Sequence, residues 1–271
     1  MASAALSETC HPAQPLMVWL RLGHVVSVGA SMELDTHSSA LACLGVGVDE
    51  PFTVRPDGYP DITARSFLFR ARERHKVVRS AGRLLFCYFD PTSARMTRSL
   101  GGMRRNVFGF GIDHHREAEL IELCNHPRLD VDRVLELASV PGITVRDQRI
   151  ALAANIIRAD PASRYRAAQL AAEVGLSQAY FLRLFAEQTG TSFRRYVQWA
   201  RMLRAAHGYL SGHDATRCAI DAGFSTPSHY TDVFHRMFGF TPTHLARMDA
   251  RLHIDDRYDR STTTPVTIRS Q

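Results

Sequence analysis

One stretch near the C-terminus occurs twice, and that repeat constrains the fold more than anything else in the chain. Residues 170–190 read LAAEVGLSQAYFLRLFAEQTG, and residues 218–239 read CAIDAGFSTPSHYTDVFHRMFG. Ala171, Gly175, Leu176 and Ser177 match Ala219, Gly223, Phe224 and Ser225 at an offset of 48. Phe185, Gly190 and Ser192 then match Phe234, Gly239 and Thr241 at an offset of 49. A fixed period with equivalent residue types marks a duplicated structural unit. Each copy is predicted to be a helix, a tight turn and a second helix. In the first copy Leu170, Ala171 and Val174 form an apolar stripe at helical spacing. Gly175 suits the left-handed position that ends a helix, and Ser177 suits the cap of the next one. Phe181, Leu184 and Phe185 supply a buried face, which leaves Gln178, Ala179, Leu182 and Arg183 outside. Two helices joined by a short glycine turn form the unit that inserts its second helix into the DNA major groove. A long helix over roughly residues 193–210 joins the copies. Two recognition helices on one rod would enter successive major grooves, about 34 Å apart.

The run LAAEVGLSQAYFLRLFAEQTGTSFRRYV, an arginine-rich linker helix, and GFSTPSHYTDVFHRMFGFTPTHL together resemble the DNA-binding domain of the AraC/XylS family of bacterial transcription regulators. The resemblance extends from about Gln148 to Met248. It implies that both second helices touch base edges: Gln178, Ala179, Leu182 and Arg183 in the first copy, and Pro227, Ser228, Thr231 and Asp232 in the second. Arg183 is the strongest base-reading candidate, because a guanidinium can take guanine O6 and N7 together. Leu182 suits a thymine methyl. Asp232 stands where the family usually carries a basic residue. A carboxylate there is repelled by phosphates, although it can accept from cytosine N4, so the first recognition helix is expected to dominate specificity. Ser177 and Ser225, as helix caps, and Arg194 and Arg195 are the phosphate-contact candidates. Arg201 and Arg204 lie on the same linker helix, where phosphate contact and plain solvation are both open. Leu170, Leu176, Phe181, Phe185, Phe224, Phe234, Phe238 and Leu245 carry the spacing of a buried face and are assigned to the core.

Net charge is +6 and the sequence pI is about 9.3, a basic balance compatible with nucleic acid. Of the 33 cationic residues only Lys76 is lysine, a skew that runs the whole length and reads as a composition effect. Five cysteines, Cys10, Cys43, Cys87, Cys124 and Cys218, are widely spaced with no CxxC pair. That argues against a disulfide framework or zinc knuckle and fits a reducing, cytoplasmic compartment. No apolar run reaches membrane-spanning length. The start, MASAALSETCHPAQP, lacks a basic segment followed by an apolar one and reads as a flexible tail.

From residue 16 to about 91 the pattern changes to short β-rich runs separated by Gly and Pro: MVWLRL, HVVSVGAS, ALACLGVGV, FTV, SFLFRA, KVVRS and RLLFCYF. Many short strands at even spacing predict a sandwich or barrel. Ahead of an AraC-like tail this segment resembles the cupin-type effector-binding barrel, by strand rhythm, by His37 and His75, and by the closing FDPTS. His37 and His75 are weak metal candidates, since Thr36 and Ser38 deny His37 an HxH partner and no glutamate follows at the expected spacing. His114-His115 is read as a solvated helix start, and Gly101-Gly102 and Gly109-Phe110-Gly111 as loop. Helices over residues 115–124 and 131–139 either cover the barrel or form a dimer interface. Val140-Pro141-Gly142 reads as the interdomain linker, and Asp147 as the cap of the next helix.

The expected architecture is α+β and multidomain. A flexible tail (1–15) precedes a cupin-like β-barrel (16–112) and a helical dimerisation or linker segment (113–146). An all-α DNA-binding domain (147–249) follows, with helix-turn-helix units at 168–189 and 215–238, and then a disordered tail (250–271). The expected function is a non-enzymatic, sequence-specific transcription regulator, more an activator than a repressor. Its expected partners are promoter double-stranded DNA, RNA polymerase by the family resemblance, a small-molecule effector in the barrel and a second copy of the chain. No cofactor is expected and no membrane. The alternative is a metal-dependent cupin enzyme fused to a DNA-binding tail, and a regulator without effector is the third reading.

Overall fold

A computed structural model describes residues 15–21, 24–30, 32–92, 102–139, 147–254 and 266–267. The N-terminal half is β-rich. Its strands are β1 (Met17–Arg21), β2 (His24–Ala30), β3 (Leu34–His37), β4 (Ala42–Gly47), β5 (Phe52–Pro56), β6 (Ile62–Ala64), β7 (Ser66–Phe69), β8 (His75–Arg79), β9 (Arg83–Phe89), β10 (Met103–Val107) and β11 (Phe110–His114). Helices α1 (Glu117–Asn125) and α2 (Val131–Ala138) follow. The C-terminal half holds α3 (Gln148–Ala159), α4 (Ala167–Glu173), α5 (Gln178–Thr189), α6 (Phe193–Leu210), α7 (Ala215–Asp221), α8 (Pro227–Phe238) and α9 (Pro242–Arg247), then β12 (Arg251–Ile254) and β13 (Val266–Thr267).

A nine-stranded sheet, ordered β10-β11-β7-β4-β9-β2-β1-β12-β13, faces a four-stranded one, β3-β8-β5-β6. Strand periodicity sorts its side chains onto two faces. Leu44, Val46, Leu68, Leu85, Cys87 and Phe89 point to α1 and α2, where Leu120, Val134 and Leu135 complete the core. Cys43, Phe67, Phe69 and Leu84 point the other way and meet Phe52, Val54 and Val77 of the small sheet. Because β4 is buried on both faces, its sequence is a continuous apolar run rather than an alternating one. The space between the sheets is filled by packed side chains, Phe52, Phe67 and Phe69 among them.

Several expectations are corrected. The Gly-rich region read as loop is a hairpin: β10 and β11 pair antiparallel around a turn with φ 50° at Phe108 and 93° at Gly109, the positive pair that suits the sheet's twist. His114 ends β11 with 1% exposure instead of opening a solvated helix, and its amide donates to Ser66 Oγ at 2.7 Å. Residues 251–254, expected in a disordered tail, form β12 and pair in parallel with β1, and 266–267 pair with β12. The driving force is apolar: Leu252 and Ala250 pack with Leu16 and Leu20. The tails at 1–14, 255–265 and 268–271, the linker Val140-Pro141-Gly142, Gly101 and Cys10 lie outside the described residues.

The helical half is built on α6. Phe193, Tyr196, Val197, Trp199, Ala200, Met202 and Ala205 are all buried, so the joining helix is a core rod. Arg201 donates to the carbonyls of Pro161 and Ser163, both at 3.0 Å, and Arg204 donates to that of Asp221 at 2.8 Å. These two arginines fasten the α3–α4 loop and α7 to the rod. Asp147 caps α3 by accepting from Arg149 N at 3.0 Å.

The two halves share a junction. Ser38 N donates to Arg236 O at 3.0 Å and Asp35 N to Gly239 O at 2.9 Å, tying the end of α8 to β3. Gly239 has φ 79°, and a Cβ there would lie 2.7 Å from His37 Nδ1, so both conformation and space call for glycine. A second contact is polar and buried. Tyr196 OH donates to Asp90 Oδ2 at 3.0 Å, and Arg158 Nη1 approaches the same oxygen at 3.2 Å.

Candidate nucleic-acid interface and interdomain cavity

The two recognition helices present matching faces. On α5, Phe181, Leu184 and Phe185 are buried, and Gln178, Ala179, Leu182 and Arg183 are all exposed. On α8, Tyr230, Val233, Phe234 and Met237 are buried. Pro227, Ser228 and Asp232 are exposed and Thr231 is half-buried. The structure thus brings each set onto one outer face, at i, i+1, i+4 and i+5. Leu182 is the one large apolar side chain of that α5 face, 38% exposed.

The caps account for the change in repeat offset. Ser177 Oγ accepts from Tyr180 N at 3.4 Å, and Gly175 before it has φ 70°. In the second copy the cap is Thr226, accepting from His229 N at 3.0 Å, and not the expected Ser225. Pro227 takes the first helical position, where its missing N–H costs nothing, so the cap falls one residue later. Ser225 Oγ instead pairs with His229 Nδ1 at 3.0 Å. The turn therefore gains one residue, and positions before and after it align at 48 and 49.

The cationic candidates separate. Arg194 is exposed beside the start of α6. Arg195, expected on phosphate, is instead spent on the domain junction: its guanidinium donates to Ser38 Oγ at 3.0 Å and reaches the Ser38 and Ser39 carbonyls at 3.5 Å. Arg183 has a 67% exposed side chain, 3.8 Å from Glu187 and 5.2 Å from the Tyr180 ring centroid. Arg149 lies 6.0 Å from the same ring. Tyr180, exposed between two arginines, is a surface feature the sequence reading missed. Its signal was available: it stands three residues before Arg183 on one helix, so the two side chains share a face.

His37 and His75 do meet. Their ring centroids are 4.4 Å apart, and His75 stacks on Phe69 at 4.0 Å. His37 Nδ1 and His75 Nδ1 lie 2.8 and 3.0 Å from the carbonyls of Asp35 and Glu73. Among the described residues no third His, Cys, Asp or Glu completes a metal-binding group with them. Burial lowers His37 to about 4 and His75 to about 3. The unfolded chain therefore binds more protons, so the stability this pair contributes is complete above the unfolded value near 6.5 and is lost as pH falls from there toward 3. His75→Phe is expected to flatten the unfolding free energy between pH 6.5 and 4. A His75→Phe profile as steep as wild type would refute that assignment.

A cavity of about 130 Å³ lies between the large sheet and the helical half. The sheet supplies the alternate residues of three strands: Val18 and Leu20, Val25 and Ser27, Phe86 and Tyr88. The other wall comes from α6 (Trp199, Met202, Leu203) and from α8 (Tyr230, Phe234, Phe238). The cavity opens on the face of the large sheet that also packs against the small one, with Leu34 and Leu84 in its lining, and α8 itself forms part of its wall.

Residues 170–248 match the family described as helix-turn-helix domain. Over 80 residues the chain is 32% identical to the virulence regulon transcriptional activator VirF of Yersinia enterocolitica and to the thermoregulatory protein LcrF of Yersinia pestis. That match covers 29% of this chain and 30% of each relative, so it spans under a third of their length. The solved structure of ToxT from Vibrio cholerae O395 superposes with a TM-score of 0.56 at 14% identity, covering 83% of this chain and 98% of that one. ToxT of strain SCE256 with an unsaturated fatty acid bound gives a TM-score of 0.53 at 11% identity, covering 83% and 97%. At these identities the likeness shows a shared two-domain fold, an N-terminal β-rich half and a C-terminal helix-turn-helix half. No described helix is long and apolar enough to cross a membrane.

Proposed function

We propose that this chain is a sequence-specific DNA-binding transcription regulator of the AraC/XylS kind, its residues 170–248 forming an AraC-type helix-turn-helix domain. The observation that carries the reading is the pair of recognition faces on one buried rod. Gln178, Ala179, Leu182 and Arg183 on α5, and Pro227, Ser228, Thr231 and Asp232 on α8, face outward at equal spacing. They are assigned to base edges in successive major grooves. Ser177, Ser225 and Arg194 are assigned to phosphates, with Thr226 added as the cap of α8. Arg195 is removed from that set while it holds the junction.

The remaining roles rest on the same reading. The β-rich half, residues 16–112, acts as a cupin-like sensor domain. The helices in 113–146 serve dimerisation, the 147–249 segment reads DNA, and the protein works in the cytoplasm as an activator that touches RNA polymerase. No enzymatic role is assigned. The effector site is the interdomain cavity, which is supported by its apolar wall and by the fatty-acid complex of ToxT, a protein of the same fold. Occupancy there touches α8 directly, a physical route from ligand to DNA affinity.

The test is selection of bound sequences from random duplexes by the full chain at fixed salt, because the phosphate contribution depends on salt. The expected result is a two-part motif spanning about two helical turns. Enrichment of no sequence, with and without added apolar ligand, would overturn the regulator reading.

A further inference from the structure

We infer that the interdomain cavity takes an uncharged apolar molecule, bearing at most a hydroxyl or carbonyl, and discriminates against carboxylates; this rests on the effector reading above. Among the described residues lining it there is no Asp, Glu, Lys, Arg or His. The polar side chains present are all uncharged: Ser27, Tyr88, Trp199, Tyr209 and Tyr230. Tyr88 lies opposite Cys43 in the β4–β9 register, and the Tyr209 and Tyr230 hydroxyls are electrostatic neighbours. Of these polar groups, the Trp199 indole Nε1 is buried without a partner.

Strand geometry explains why charge is kept out. Val18, Leu20, Val25 and Phe86 share the cavity face of the sheet. Arg21 and His24, one residue along from Leu20 and Val25, fall on the opposite face by strict alternation. Lys76, the single lysine of the chain, sits on β8 of the other sheet. An ionised carboxylate entering this site would lose its water and gain no cation, a far larger cost than desolvating a hydroxyl that can be hydrogen-bonded. Apolar contact, in contrast, is available from both halves.

The experiment titrates the full chain with decan-1-ol and with decanoate, below their aggregation limits at pH 8, following thermal midpoint and tryptophan fluorescence. A ligand that binds only the folded state raises the midpoint. The alcohol is expected to bind at least tenfold more tightly than the acid, and Ala206→Trp, which fills the cavity from α6, is expected to abolish the response. Ser27→Lys, which adds a cation to the wall, is expected to narrow or reverse the preference. Equal or tighter binding of decanoate by wild type overturns the inference and leaves the cavity standing as an effector site. A response to neither probe, or one that Ala206→Trp leaves unchanged, overturns the effector reading itself and this inference with it.

Discussion

Asp90→Ala is expected to lower the unfolding free energy by about 3 kcal/mol, the lower end of the cost of breaking one side of a buried ion pair. Asp90 is 1% exposed, and its carboxylate takes the Tyr196 hydroxyl at 3.0 Å and the Arg158 guanidinium at 3.2 Å. Without it, Arg158 is left partly buried with its charge unanswered. Tyr196, fully buried, loses the carboxylate acceptor of its O–H and keeps only Thr92 Oγ1 at 3.4 Å. The lower end applies because the Arg158 side chain keeps 27% of its exposure and water reaches it. Arg158→Met in the same background is expected to restore part of the loss, since removing both charges costs less than removing one. Urea unfolding followed by tryptophan fluorescence measures both. A loss under about 1 kcal/mol for Asp90→Ala would place the pair among ordinary surface interactions.

The position of that network matters as much as its strength. Asp90 directly follows β9, whereas Arg158 ends α3 and Tyr196 lies on α6. One carboxylate therefore joins the sheet to the first helix and the rod of the DNA-binding half. Arg195 on Ser38 and the end of α8 on β3 form a second tie. Of the recognition helices, α8 is held to β3 directly, whereas α5 packs on α3 and α6, the helices that Asp90 ties to the sheet.

Local patterns carried the helical half into view. The repeat, the Asp147 and Ser177 caps and the Gly175 turn all depend on residues a few positions apart, and each stands as read. What was illegible depends on distant partners. Residues 251–254 become a strand only because β1, more than 200 residues earlier, offers an edge, and parallel pairing leaves no turn signal. The end of FDPTS read as a domain signature, while the role of Asp90 needed Arg158 and Tyr196 beside it. Arg195 looked like any linker-helix arginine until Ser38 was placed against it. The hairpin of β10 and β11 was hidden differently: its edge strand MRRNV is mostly exposed and carries two arginines, as sheet edges do, so it lacks the alternation that marks a half-buried strand. Ser225 lies one residue before the cap because Pro227 takes the first helical position and makes Thr226 the cap. The outer faces of α5 and α8 were legible except at Thr231, which is half-buried, since exposure on a helix follows from which neighbours are buried.

Arg183→Ala is expected to weaken binding to the selected duplex by about 1–3 kcal/mol, the discrimination a bidentate arginine–guanine contact provides, or roughly 5–150-fold. The side chain is available: its partner Glu187 is 3.8 Å away and both are largely exposed, so that pair offers little resistance to release. The guanidinium lies over the Tyr180 ring, 5.2 Å from its centroid. Two controls decide what the contact is. On a duplex with one half of the motif scrambled, a base-reading arginine leaves the variant close to wild type, and the salt dependence of binding keeps its slope. A phosphate-binding arginine instead weakens every duplex alike and lowers that slope by about one. Asp232, at the matching position of α8, supplies the opposite sign: Asp232→Ala removes a carboxylate from the phosphate field and is expected to raise affinity, with no change at the half-site read by α5. If Arg183→Ala leaves cognate binding intact while Asp232→Ala destroys it, the order of the two recognition helices is the reverse of the one argued from their residues.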